Sequence, residues 1–474
     1  MKILLVLLLS GILGFYRLSQ VPPALNWDET SIGWNAKTIW QLHIDEYGTR
    51  WPISFKSFGD YKAPLYIYLT SPVVGIFGSS EISVRLVSVI AGLVSIGLMY
   101  LISGFTAAVL LAISPWHILL CRPALEANLA LMWVLTGIYL FKLAVKNRSV
   151  LLIGSAISFV LSMYSYQSPK IFVPVFVLGL ILIYRQAFRR AWVWLAVAGL
   201  IAVAAAAPLV KDGLGVGGQR FKATSVFYQK DVNLPVTLVK NYLVHFSPAW
   251  LFRSDGETGR SQMRQSGMLL AVTAPFLFLG LFHIWKKRQE IWFKVLWLWL
   301  LTAPLPAMIG FEVPHPIRSY QLLPALIIIT AIGIKQIKSY RLWLWLAVTI
   351  NAGWFMYHYF VTYPVESARE WQYGYKQAAV FAKEYEDEVD KIIITSQYGQ
   401  PYVFTYFFQD RKPQSVFWGG MIKYLFRDIV WENDQHLSRV LIIGTPEEIP
   451  GSAQGIIKEI YFPDGKVAFR IVKI

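Results

Sequence analysis

Long apolar runs separated by short polar joints dominate this chain. A helix needs roughly 20 apolar residues to cross ~30 Å of hydrocarbon. Eleven stretches read as spans: near 2–19, 82–102, 103–119, 127–145, 150–166, 170–184, 191–208, 267–284, 291–309, 317–334 and 342–361. Between 82 and 119 the only joint is "LISGF", so this segment reads as two tightly joined crossings, or as one. The opening "MKILLVLLLSGILGFYRLS" lacks the small residues of a signal-peptide cleavage site and reads as a retained first span.

The pattern changes after residue 361. "ESAREWQYGYKQAAVFAKEYEDE" has the spacing of an amphipathic helix, and "KIIITS" and "VLIIGT" read as short buried strands. Two strand-like runs flank Asp464-Gly465, a hairpin signal. The expected fold is a polytopic α-helical membrane protein of about eleven transmembrane helices, residues 1–361, with a small C-terminal α/β domain, residues 362–474.

Charge sets the expected orientation. The joints 142–149, 185–190, 285–289 and 335–341 each carry three Lys or Arg, and all follow even-numbered spans. By the positive-inside rule they are cytoplasmic. The N-terminus is then cytoplasmic as well. The loops 20–81 and 209–266 and the C-terminal domain face outward, on a plasma membrane. Only 15% of residues are charged, and the net charge is +16. Basic cytoplasmic joints account for that balance, so nucleic acid is not an expected partner. One cysteine, Cys121, excludes an internal disulfide.

Ionisable residues beside a bilayer are costly unless paired, hydrated or used. Here they collect at the outward ends of spans: Asp28 and Glu29; Asp60 and Lys62; Arg85; Arg122 and Glu126; His245; His315 and Arg318. That layout suits a water-filled cavity opening outward. Each residue also has a plainer reading. Asp28 and Glu29 suit a helix N-terminus, and Arg122 and Glu126 suit an i,i+4 ion pair. Lys62 and the arginines suit headgroup contacts, and the histidines suit neutral hydrogen-bonded side chains.

The order "WDE", "SFGDYKAPLYIYL…IFGSSEISVRLVSVIAGL", "SPWHILLCRPALEANLAL", "SYQSPKIFVPV" and "HPIRSYQLLPALIIITAIG" resembles the GT-C superfamily of membrane glycosyltransferases. Within it the likeness is to glycosyltransferase family 39, the protein O-mannosyltransferases and aminoarabinose transferases. The resemblance implies transfer of a sugar from a polyprenyl-phosphate donor to a hydroxyl acceptor outside the cytoplasm, with membrane lipid around the site. It implies Asp28 as base with Glu29 beside it, and Lys62, Arg85, Arg122 and Arg318 around the donor phosphate. Asp60, Glu126, His245 and His315 are further site candidates. Relatives with Glu directly before the Lys have Tyr61 here instead, so no metal ligand is assigned and a divalent ion stays open.

Two competing classes remain at this point. A lipid-sugar flippase or transporter predicts inverted repeats and mid-membrane charges, which the sequence lacks. A scaffolding protein leaves the clustered charges without a role. Block oligosaccharide transfer is a third possibility within enzymes, but a "WWDYG" motif is missing. Residues 31–50, with Ile32, Ala36, Ile39 and Trp40 on one face, are expected to lie flat on the membrane. "GLGVGGQRF", from residue 213, is expected to be a flap.

Overall fold

A computed structural model describes the chain apart from residues 147, 190, 216–217, 230–231, 255–257, 338 and 418, and apart from the side chains of residues 60, 219, 220 and 223. The expected flap lies partly outside the described residues. The chain forms two compact units: Met1–Tyr16, Ile53–Tyr66 and Ser88–His358; and Arg17–Pro52, Ile67–Val87 and Tyr359–Ile474. The second unit thus groups the tail with two earlier segments, Arg17–Pro52 and Ile67–Val87.

The first unit is helical. Among the described residues, four helices are long and apolar enough to cross a membrane alone: Glu81–Ser103, Glu126–Ala144, Trp192–Leu214 and Ile291–Met308. Shorter apolar helices include Lys2–Phe15, Leu151–Ser165, Pro169–Ile183 and Ala271–Lys286. At 1.5 Å per residue, a 14-residue helix reaches only about 21 Å. Among the described residues, four helices reach the length of a full crossing, and the count of about eleven rests on the sequence pattern.

The run 103–119 departs most from its expected form. Gly104, at φ 92°, stops the preceding helix. Two short helices follow, Phe105–Ala112 and Pro115–Cys121. The break falls at Ser114, which is extended. A residue before proline is disfavoured in helical geometry, because the ring crowds its backbone.

Helix pairing in this unit depends on small residues. Ala274–Lys286 packs on Leu323–Gln336. A Cβ at Gly280 would lie 2.0 Å from the Ile329 carbonyl oxygen, and one at Gly333 would lie 1.9 Å from that of Phe276. Only glycine permits this approach of two backbones, the usual device where lipid is as apolar as the side chains.

The second unit holds a mixed five-stranded sheet. We label the strands β1 (Phe55–Ser57) and β2 (Asp60–Lys62), a hairpin in the first unit, then β3 (Lys391–Ile394), β4 (Tyr424–Phe426), β5 (Val440–Gly444), β6 (Ile456–Tyr461) and β7 (Val467–Lys473). The sheet order is β4-β3-β5-β7-β6. β3 pairs in parallel with β4 and β5. β7 runs antiparallel to β5 and β6. Every residue of β5 is buried, which explains its unbroken apolar run. Asp464 and Gly465 form the expected turn: Gly465 has φ 86°, and the Lys466 N–H donates to Asp464 Oδ1 at 3.0 Å.

The helix Trp27–Leu42 contains the apolar face expected within residues 31–50, and every residue from Glu29 to Ile39 is buried within the protein. It packs on the helix Pro401–Phe408. Gly33 faces Phe407, and Trp34 meets Tyr406 with ring centroids 5.3 Å apart. The sequence shows an apolar face but not the distant segment, beginning at Pro401, that covers it. In addition, Pro64–Phe77 is an apolar helix. Lys62 just before it and Pro72 within it disguise the run as loop.

Candidate functional site

In the second unit, Asn26 caps the helix that carries the acidic pair. Its side chain accepts from the Glu29 N–H at 2.9 Å, and the Asn26 N–H donates to Glu29 Oε2 at 3.4 Å. This reciprocal capping box fixes where the helix starts. It also turns the two adjacent carboxylates into different environments.

Glu29 is fully buried against a fully buried Arg85. Arg85 Nε donates to Oε1 at 2.9 Å and Nη2 to Oε2 at 3.0 Å. The other guanidinium hydrogens go to the carbonyls of Leu18, Pro22 and Ala24. A guanidinium has five donors, and all five are used within this unit. Arg85 thus pins the connector 18–24 to the acidic helix, and in this arrangement it has no donor left for a phosphate.

Asp28 is only half-buried and sits in the first turn of the helix. Its Oδ2 accepts from the Trp27 indole N–H at 3.1 Å. Trp27 is itself fixed: its backbone N–H donates to Gln372 Oε1 at 3.2 Å, and its ring lies against Gly399.

In the first unit, the β1–β2 hairpin presents Lys62. This lysine is buried, with Nζ on Ser57 Oγ at 2.5 Å and 4.9 Å from the Phe58 ring centroid. The Asp60 backbone pairs with Ser57 across the hairpin. Arg122 is fully buried and donates to the carbonyls of Leu13, Gly14 and Tyr16. It therefore caps the C-terminal end of Lys2–Phe15, where a cation suits the helix dipole. Arg122 follows one helix and Glu126 opens the next.

His245, His315 and Arg318 form a linked group. His245 is buried, and its Nε2 accepts the His315 backbone N–H at 3.2 Å. The hydrogen must then sit on Nδ1, which donates to the Asn241 carbonyl at 2.7 Å. Burial pushes this imidazole down to about 4, so it is neutral at ordinary pH. His315 Nδ1 in turn accepts the Arg318 backbone N–H at 3.3 Å. The Arg318 guanidinium lies over Gly310, where a Cβ would come within 2.2 Å of Nη1. That Nη1 is buried with no hydrogen-bond partner among the described residues.

Arg318 lines a cavity of about 210 Å³ with Lys170, Gln167, Ser168, Tyr166 and Gly310. Gln167 Nε2 lies 3.5 Å from the Tyr61 carbonyl, next to Lys62. Along the same helices runs a nearly apolar groove of about 410 Å³. Its walls are Leu151–Ser165, Pro169–Ile183 and Trp192–Leu214, including Met163, Val173 and Ala206. These three residues lie within about a turn of Tyr166, Lys170 and Leu209, which line the cavity. Lys170 was not among the sequence-derived site residues. Its signal is a lysine beside a proline at the head of an apolar span.

Residues 61–210 match the family model for dolichyl-phosphate-mannose-protein mannosyltransferase. No curated protein sequence matches the chain. Among solved structures, the chain is similar to ArnT from Cupriavidus metallidurans in the apo state: TM-score 0.59, 12% identity, with 99% of this chain and 97% of that one covered. The same protein bound to undecaprenyl phosphate matches at TM-score 0.59 and 10% identity, again covering 99% and 97%. An oligosaccharyltransferase from Archaeoglobus fulgidus, in complex with Zn and sulfate, matches at TM-score 0.52 and 13% identity over 99% of this chain and 73% of that chain. Residues 61–210 thus resemble this mannosyltransferase family, and the chain as a whole shares the fold of these solved structures.

Proposed function

We propose that this protein transfers a sugar from a polyprenyl-phosphate donor to a hydroxyl acceptor on the extracytoplasmic face. One observation carries the reading: a cation-lined cavity and an apolar groove are built on the same helices, with lining residues about one turn apart. A ligand with an anionic head and a long apolar tail fits that pairing. The head belongs with Arg318, Lys170 and the Lys62 hairpin. The tail belongs in the groove. The ArnT structure with undecaprenyl phosphate shows that a relative in fold takes a ligand of this class.

In the reaction, the acceptor oxygen attacks the anomeric carbon while the bond from that carbon to the phosphate oxygen breaks. The electron pair leaves with the phosphate, whose growing charge the fixed cations stabilise. A base takes the hydroxyl proton. Asp28 is assigned that role because Glu29 is committed to Arg85 and its cap. Glu29, Arg85 and Arg122 act as positioning residues, holding the connector and the end of the first helix. The His245–His315 pair positions the Arg318 backbone.

The test uses purified full-length protein and radiolabelled polyprenyl-phosphate sugars with hydroxyl acceptors. Wild-type protein is expected to form labelled glycoside, and Asp28→Asn to lose 10²–10⁴-fold in rate, the usual contribution of a positioned base. Equal transfer by both removes Asp28 from the mechanism. Movement of the lipid across vesicles without glycoside formation replaces the transferase reading with a flippase.

A further inference from the structure

The second unit has a groove of its own, of about 890 Å³, that the transfer reaction leaves without a role. Its walls come from the connector after the first apolar helix, the segment after the last one, the helix Tyr375–Glu384 and strand β6. Arg17, Gln20, Glu81, Lys376, Glu384 and Lys458 supply polar walls, three cations to two carboxylates, and Val361 and Val365 supply apolar ones.

The charges are unevenly used. Glu81 is taken by Lys376 at 2.5 Å. Arg17 donates to Gln20 Oε1 at 2.9 Å and to the Phe360 carbonyl at 3.2 Å, both neutral acceptors. Lys458 lies 4.3 Å from the Phe381 ring centroid. Among the described residues, neither Arg17 nor Lys458 is in a salt bridge, and both are exposed. Beside them, Val361 is 51% and Val365 39% exposed. Those valines directly continue the helix Arg341–Tyr357, and Arg17 lies two residues past Lys2–Phe15. In sequence, then, the groove walls begin where the helices Lys2–Phe15 and Arg341–Tyr357 end.

We propose that this groove binds a phosphate-bearing glycerolipid of the surrounding bilayer. The phosphodiester meets Arg17 and Lys458, and an acyl chain runs along Val361 and Val365. The recognition is two-part: cations for the head, and an apolar rim for the tail. A soluble phosphate satisfies only the first half.

The test measures binding to the purified full-length chain in neutral detergent by native mass spectrometry. The probes are dioleoyl phosphatidylglycerol, dioleoylglycerol and glycerol 3-phosphate. Phosphatidylglycerol is expected to bind at least tenfold more tightly than either partial probe. Arg17→Gln and Lys458→Gln are each expected to weaken it about fivefold, the effect of one cation at a membrane surface. Lys458→Arg is expected to restore it. Lys458 is exposed on a strand, so its variants are expected to keep the wild-type melting temperature even if Arg17→Gln does not. Equal binding of dioleoylglycerol reduces the groove to an apolar surface and overturns the proposal. Glycerol 3-phosphate binding as tightly as the lipid overturns it in favour of a soluble-anion site. Unchanged binding by Lys458→Gln also overturns it. The readout is occupancy by a lipid without a sugar, so its failure leaves the transferase reading intact.

Discussion

At the scale of single residues, two neighbouring carboxylates have been sorted by their surroundings. Glu29 sits in a dry, bidentate pair, whereas Asp28 keeps partial exposure one position earlier. Removing one partner of a buried pair leaves the other charge without compensation, at about 3–5 kcal/mol. Arg85→Ala should therefore lower the detergent melting temperature sharply and Asp28→Asn should not, as a thermal scan of both would show. His245 adds a pH dependence of defined sign. Its folded pKa of about 4 lies below the unfolded value of about 6.5. Between these values the unfolded chain binds the extra proton, so stability is full above 6.5 and falls as pH drops toward 4. The loss is on the order of 3 kcal/mol at most. Melting curves across that window should show it, and His245→Gln should flatten it. The charges themselves were legible in the sequence. How they divide was not, since the Leu18, Pro22 and Ala24 carbonyls that occupy Arg85 look like any other backbone.

At the scale of elements, glycines decide the positions of larger groups. Gly310 leaves room for the Arg318 guanidinium above its Cα. Gly310→Ala should displace that cation and raise the KM for the lipid-phosphate donor, with a smaller effect on the melting temperature; steady-state kinetics and a thermal scan separate the two. Gly333→Ala would set a methyl group against the Phe276 carbonyl and is expected to lower the melting temperature by several degrees. The main helices, β3, β5 and the β6–β7 hairpin could all be read from periodicity and turn residues. The break at Ser114 was signalled by Pro115 but was hidden in an otherwise continuous apolar run. The burial of Trp27–Leu42 could not be read at all. Its covering helix begins at Pro401, and no local pattern reports so distant a contact.

At the scale of the molecule, an architecture shared at 10–13% identity suggests that helix order, rather than particular side chains, preserves this fold. One of its helices differs in how it is held. In Trp192–Leu214, only 11% of the apolar stretch is buried by protein, against 61% in Glu126–Ala144. This lightly anchored helix is also a wall of the apolar groove. A helix held by so few protein contacts is free to tilt with the thickness of the hydrocarbon around it, and a tilting wall changes the groove's width. The sugar transfer proposed above should then vary with the acyl length of the host membrane. Proteoliposomes of 14-, 18- and 22-carbon lipids should give an optimum rather than a constant rate, making membrane thickness a control on catalysis that acts with no regulator bound.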